Sequence, residues 1–154
     1  MEVDLSDLVE EVLHLHDAWA VELGVEVHIE GAEATVHADL GKLRRVLINL
    51  VSNALQAMPE GGHLYLETAF EEGPPALAVI SIRDTGVGIS DEARPHLFEP
   101  YFTTRSEGTG LGLAISKRVI EEMHGTIELL SASDGQGTVA RVKLPMLDPE
   151  SPAP

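Results

Sequence analysis

The sequence has no cysteine, which excludes disulfides and thiolate-bound metal and suits the cytoplasm, where we place the chain. It also lacks any apolar run near the roughly 20 residues that a helix needs to cross a bilayer. The first residues are acidic rather than signal-like, so a soluble domain with no membrane contact of its own is expected. Basic residues are missing from the whole first quarter: residues 1–41 hold eleven Asp or Glu and no Lys or Arg. Residues 42–154 hold fifteen acidic and ten basic residues, and the formal net charge is −16. A surface so negative repels nucleic acid and anionic lipid, which excludes both as general partners. Any polyanionic ligand must be held locally, by backbone N–H groups, a metal and a few nearby basic side chains.

What remains is a chain of 154 residues, 44% of them hydrophobic, enough for one domain with a full core. The domain is expected over residues 1–147, with a disordered tail over 148–154. Asp4 is placed to cap a first helix whose apolar stripe runs through Leu5, Leu8, Val9, Val12, Leu15 and Trp19, with Gly24 as its stop. Val25, Val27 and Ile29 alternate as a strand, and a second short strand is predicted over Ala34–Ala38. Asp39 starts the clearest helix, with helical apolar spacing from Leu40 to Met58 before Pro59-Glu60-Gly61-Gly62 breaks it. Strands are predicted over His63–Phe70 and Leu77–Asp84, and a short helix near Asp91–Leu97 inside an irregular stretch from Gly86 to Gly110. A last helix is predicted over Leu111–His124, with Leu113, Ile115, Val119, Ile120 and Met123 on one face and Gly125 as C-terminal stop. Thr126–Ser131 and Thr138–Leu144 read as a closing hairpin. This order suggests an open α/β sandwich with helices on one face of a mixed sheet.

Three local patterns carry chemistry. On the long helix Lys42, Arg45, Asn49, Asn53 and Gln56 recur at intervals of three and four and share one face. Asparagine favours caps and turns over helix interiors, while its amide oxygen is a hard ligand for Mg²⁺ and its NH₂ can donate to a phosphate oxygen. A solvated face that happens to carry amides explains the same pattern. Asp84-Thr85-Gly86-Val87-Gly88 ends a buried strand; a carboxylate there can accept from an exocyclic amine while glycines let a flat ring approach the backbone. A plain strand-to-turn transition is the alternative. Gly108-Thr109-Gly110-Leu111-Gly112-Leu113 leads into the last helix, whose N-terminus offers N–H groups and the positive dipole end to an anion. The glycine spacing is not that of a dinucleotide fingerprint, and Leu113 stands where a Walker loop has lysine.

Taken together, Asn49-Leu50-Val51-Ser52-Asn53-Ala54, the Asp84–Gly88 run, Phe98-Glu99-Pro100-Tyr101-Phe102-Thr103-Thr104 and the glycine run to Leu113 resemble the N, G1, F and G2 boxes of histidine kinases, in the family's order. The resemblance covers residues 3–145 and implies an α+β fold, the Bergerat fold: a two-layer α/β sandwich with a mixed, mostly antiparallel sheet, helices on one face and a flexible ATP lid. It implies ATP and Mg²⁺ as cofactors, with Asn53 as the Mg²⁺ ligand and Asn49 facing the phosphates one turn earlier. Asp84 matches the aspartate that reads the adenine amino group, and Gly86 and Gly88 shape the base pocket. The lid would run from Gly88 to Gly110, latched by Phe98 and Phe102. Gly108, Thr109, Gly110, Leu111 and Gly112 would offer N–H groups to the phosphates, with Thr104 beside them and Arg105 where the family often has lysine. Thr138 would reach adenine through water.

Two departures stand out. Tyr101 replaces the commoner phenylalanine of the F box. The phosphoacceptor motif, His followed by an acidic residue and then Arg/Lys-Asn-Pro, is absent from this sequence, and His14 and His16 read as exposed helix histidines. The family's hydrolytic relatives carry a glutamate general base where this chain has Asn49, and an amide cannot take a proton at neutral pH. The resemblance therefore implies phosphoryl transfer to a histidine on a separate dimerisation and phosphoacceptor domain of the same kinase, and indirectly to a response regulator receiver domain. An ATP-hydrolysing conformational machine or a non-catalytic nucleotide sensor of the same fold are the alternatives.

Overall fold

The computed structural model describes residues 1–31, 33–100, 112–132 and 136–146. Asp4 closes a short strand, β1 (Glu2–Asp4), and caps α1 (Leu5–Leu23), its carboxylate accepting from the Ser6 and Asp7 N–H groups. Capping by a side-chain oxygen satisfies donors that the first helical turn cannot. Gly24 ends α1 in the left-handed region at φ +81°, where a side chain would be strained. Then come β2 (Val25–Gly31), β3 (Thr35–His37) and α2 (Leu40–Gln56), the last capped by Asp39, which accepts from Lys42 N–H. β4 (Gly62–Glu71), β5 (Leu77–Asp84), a 3-10 turn at Arg94–His96, α3 (Gly112–Glu122), β6 (Thr126–Ser131) and β7 (Thr138–Pro145) complete the order.

The main sheet has strand order β2-β4-β5-β7-β6. Only the β2–β4 pair is parallel; β4–β5, β5–β7 and β6–β7 are antiparallel. β1 and β3 form a separate two-stranded ribbon. Alternation along the strands assigns the two sheet faces. Leu64, Leu66, Ile80, Ile82, Val142 and Leu144 are buried on one face beneath the helices. Glu26, His28, His63, Tyr65, Arg83 and Arg141 occupy the other, which carries polar and charged side chains. α1 contributes Leu5, Leu8, Val9 and Val12, and α2 contributes Leu43, Leu47, Leu50, Val51 and Leu55, to the single core. The expected two-layer α+β sandwich with helices on one face of a mixed, mostly antiparallel sheet is the fold observed.

Four local expectations differ. Leu15 is 62% exposed, and its neighbour His16 is buried instead. The His16 Nδ1 lies 2.7 Å from Val12 O and Nε2 lies 3.1 Å from Ser52 Oγ of α2, so this histidine bridges two helices, whereas His14 is exposed and pairs with Asp17. Ile115 is also exposed, and Ser116 takes the inward position together with Ile120. The left-handed residue that ends α3 is His124 (φ 63°) rather than Gly125. Gly125 serves packing: a Cβ there would lie 2.4 Å from Lys143 O and 2.7 Å from Leu144 Cδ2. Among the described residues no helix is long and apolar enough to cross a membrane. The tail expected over residues 148–154 lies outside the described residues.

Candidate nucleotide-binding site

Asp84 is the last residue of β5, a strand with neighbours on both sides, and faces Leu64 across the ladder. Its parity with Ile80 and Ile82 turns the side chain to the helix-covered face, where it is 5% exposed. A buried carboxylate needs hydrogen-bond donors, and Oδ1 accepts from Gly86 N–H at 2.9 Å. That bond closes a turn in which the chain leaves the sheet.

Three other segments press on this turn. The Val87 N–H donates to Ala57 O at 3.1 Å, just past the end of α2, and a Cβ on Gly86 would meet the same oxygen at 2.3 Å. The Thr85 Oγ1 accepts from the His63 N–H at 3.0 Å and lies 3.7 Å from Met58 Sδ. Gly137, at φ +93°, lies so close that a Cβ would fall 2.0 Å from Asp84 O. Thr138 follows it at the start of β7 and is half-buried. The β5–β7 ladder ends at the Arg83–Val139 pair, and Asp84 and Thr138 are the next residues on the two strands. Gly88 holds φ +76°, with Gly137 O 3.6 Å from where its Cβ would be.

The amide stripe of α2 joins this turn to the start of α3. Asn49, Asn53 and Ala57 recur every fourth residue on one side of the helix path. At one end Ala57 touches Gly86. At the other, Asn49 Nδ2 donates to Ser116 Oγ at 3.3 Å, and Asn49 Oδ1 lies where a Cβ on Gly112 would come within 2.6 Å. Gly112 opens α3, so the Asn49 side chain backs directly onto that helix's N-terminal residue. Asn53, half-buried, lies one turn from each contact. Lys42 reaches Glu122 on α3 at 3.6 Å and extends the same helix pairing. Phe98 packs against the core, with the Lys117 Nζ of α3 5.2 Å from its ring centre.

The structure thus brings Asn49, Asn53, Asp84, Gly86, Gly88, Gly112 and Thr138 to one end of the sandwich. Thr104, Arg105, Gly108, Thr109, Gly110 and Leu111, together with Tyr101 and Phe102, lie outside the described residues. Ser116, Ala57, Met58 and Gly137 have no site role in the sequence reading. Ser116 left a trace there, since Gly112, Ser116 and Ile120 stand four apart on one helix face. Chemically, the site offers a buried carboxylate beside a glycine turn, then two amides leading to the positive end of a helix.

Residues 38–148 match the model of the histidine kinase-, DNA gyrase B- and HSP90-like ATPase family. The chain belongs to that family. Over 146 residues it is 38% identical to sensor histidine kinase ZraS of Escherichia coli K12, covering 94% of this chain and 30% of that protein. The catalytic domain of histidine kinase ThkA superposes with a TM-score of 0.84 at 30% identity, covering 94% of this chain and 96% of that domain. ThkA in complex with the response regulator protein TrrA superposes with a TM-score of 0.80 at 28% identity, covering 96% of this chain and 42% of the kinase. The chain spans 15%, 33% and 30% of the length of the first curated relatives that it matches.

Proposed function

We propose that this chain is the catalytic domain of a cytoplasmic histidine kinase module, binding Mg·ATP and passing the γ-phosphoryl group to a histidine on a separate dimerisation and phosphoacceptor domain of the same kinase. A response regulator receiver domain would take it next, as the ThkA–TrrA complex suggests by analogy. The observation that carries this reading is Asn49. Its amide is tied to Ser116 and set against Gly112, at the position where hydrolytic relatives have a glutamate. An amide does not accept a proton at neutral pH, so water in this site gains no general base. An acceptor imidazole is already a nucleophile and needs positioning and charge stabilisation, which is nearly all that phosphoryl transfer asks of a protein.

In this reading Asp84 accepts from the adenine amino group, while Gly86 and Gly88 let the ring approach the backbone and Thr138 reaches it through water. The phosphates then run along α2 to the start of α3, where Gly112, with Gly108, Thr109, Gly110 and Leu111, offers N–H groups to them. Thr104 and Arg105 would add a hydroxyl and a cation. Asn53 fits a Mg²⁺ ligand: its amide oxygen is hard and neutral, and Mg²⁺ commonly takes few protein ligands and completes its shell with phosphate and water. Bound there, the ion would neutralise charge on the phosphate oxygens. Calorimetric titration with a non-hydrolysable ATP analogue, with and without Mg²⁺, tests the arrangement. Asn53→Ala is expected to abolish the Mg²⁺-dependent gain in affinity and to leave the fold intact; an unchanged gain would assign the metal elsewhere.

A further inference from the structure

The sheet face opposite the helices carries a group of side chains that the nucleotide site does not use. Glu26 and His28 alternate along the edge strand β2, and His63 on β4 stands directly across from Glu26. The three side chains therefore project from the same face. His28 Nε2 lies 3.1 Å from His63 Nδ1, and His63 Nδ1 lies 3.6 Å from Glu26 Oε2. Their donor atoms all fall within 4.8 Å of one another.

We infer that Glu26, His28 and His63 form a binding site for a borderline divalent transition-metal ion, of which Zn²⁺ is the representative. The spacing is the first reason. Ligands at about 2.05 Å in tetrahedral array are separated by about 3.3 Å, and the two measured separations, 3.1 and 3.6 Å, bracket that edge. The donor set is the second. Two imidazoles and a carboxylate suit Zn²⁺ and its neighbours, whereas Mg²⁺ and Ca²⁺ prefer all-oxygen sites. The third is that one imidazole is already held in place: the Tyr65 ring stacks on His28 with centroids 4.7 Å apart and planes 14° apart. Tyr65 also stands between His28 and Arg83 in the ladder, and the guanidinium lies over its ring at 4.1 Å.

Without metal, one of the two facing imidazole nitrogens carries the proton that the other accepts. On metal binding that proton moves to the far nitrogen of its own ring, leaving Nε2 of His28 and Nδ1 of His63 as ligands. Glu26 Oε2 is the third ligand, and water completes the shell. The ion would tie edge strand β2 to β4. It would also sit at the end of β4 where the His63 N–H donates to Thr85 Oγ1, on the sheet face away from the Asp84 side chain.

The test is Zn²⁺ titration of the full chain in nucleotide-free buffer against a chromophoric chelator, with Co²⁺ spectroscopy as a second readout. The wild type is expected to bind one equivalent, and bound Co²⁺ to show the visible bands of a four-coordinate centre. His28→Gln and His63→Gln should each weaken Zn²⁺ at least tenfold and remove those bands, and His14→Gln should change neither. His28 and His63 are half-buried on the sheet surface and His14 is exposed on α1, so thermal melts of the metal-free variants should match the wild type. Zn²⁺ affinity unchanged in both His28→Gln and His63→Gln, or wild-type binding no tighter than that of the combined His28→Gln, His63→Gln variant, would overturn the assignment.

Discussion

Replacing Gly86 by alanine probes how the Asp84 turn is held. The new Cβ would lie 2.3 Å from Ala57 O, 2.7 Å from Ala57 C and 2.8 Å from Ala57 Cβ. A comfortable carbon–oxygen approach is about 3.3 Å, so the turn and the end of α2 must part by about 1 Å. Both sides of the contact are backbone, and neither can swing away like a side chain. Overpacking of this kind costs about 1–3 kcal/mol, and stretching the Val87–Ala57 hydrogen bond adds about 1 kcal/mol, for a total of about 2–4 kcal/mol. The single tryptophan, Trp19, packs against the core and reports urea unfolding by fluorescence. With a slope of about 2 kcal/mol per molar urea, the midpoint should fall by about 1–2 M. Gly41→Ala is the control: its Cβ would meet only Asp39 Oδ1, at 3.5 Å, inside α2, and should raise stability by up to about 1 kcal/mol. A Gly86→Ala midpoint within about 0.3 M of wild type, equivalent to about 0.6 kcal/mol, would refute the tight helix–turn contact.

Asp84→Asn keeps an oxygen for the Gly86 N–H but loses the charge-assisted acceptor for an exocyclic amine; ATP affinity in a competition assay should fall about 10- to 100-fold, with inorganic triphosphate much less affected. Wild-type protein should prefer ATP to GTP strongly, because a site built for one base edge leaves groups unpaired when that edge changes. His16→Ala removes both contacts of a buried ring and strands Ser52, so urea titration should show a loss of about 1–3 kcal/mol, while His14→Ala stays within about 0.5 kcal/mol of wild type.

The helices were legible because their signals are local. Asp4 and Asp39 as caps and Gly24 as a stop each act within a few residues, and the structure uses all three in those roles. Strands β2 to β7 were legible from alternation, apolar runs and turn residues, and the β6–β7 hairpin from its short connection, but β1 was missed and the other strand partners could not be read. That β1 pairs with β3, and that β2 runs parallel to β4, are contacts between distant segments with no local signature. Leu15 and His16 show the limit of apolar counting on a helix. Leu15 fits the stripe by residue type, yet His16 takes the inward position because Val12 O and Ser52 Oγ satisfy its ring. At the site, Asn49 and Asn53 stood out as amides inside a helix, and Asp84 as a carboxylate followed by glycines at a strand end. What holds them could not be read: Ala57 against Gly86, Gly137 against Asp84 and Ser116 against Asn49 are all long-range.

Phosphoryl transfer between domains is the central claim, and γ-labelled ATP tests it most directly. Incubated alone, the chain should bind ATP, hydrolyse it very slowly and acquire no label. Adding the separately purified dimerisation domain of the parent kinase should label that domain. Labelling should be slow, because loss of the tether removes an effective concentration of order mM. The label should be lost in acid and kept in alkali, as a phosphoramidate is. Acid-stable label on this chain alone, or brisk hydrolysis with no label on either partner, would contradict the account.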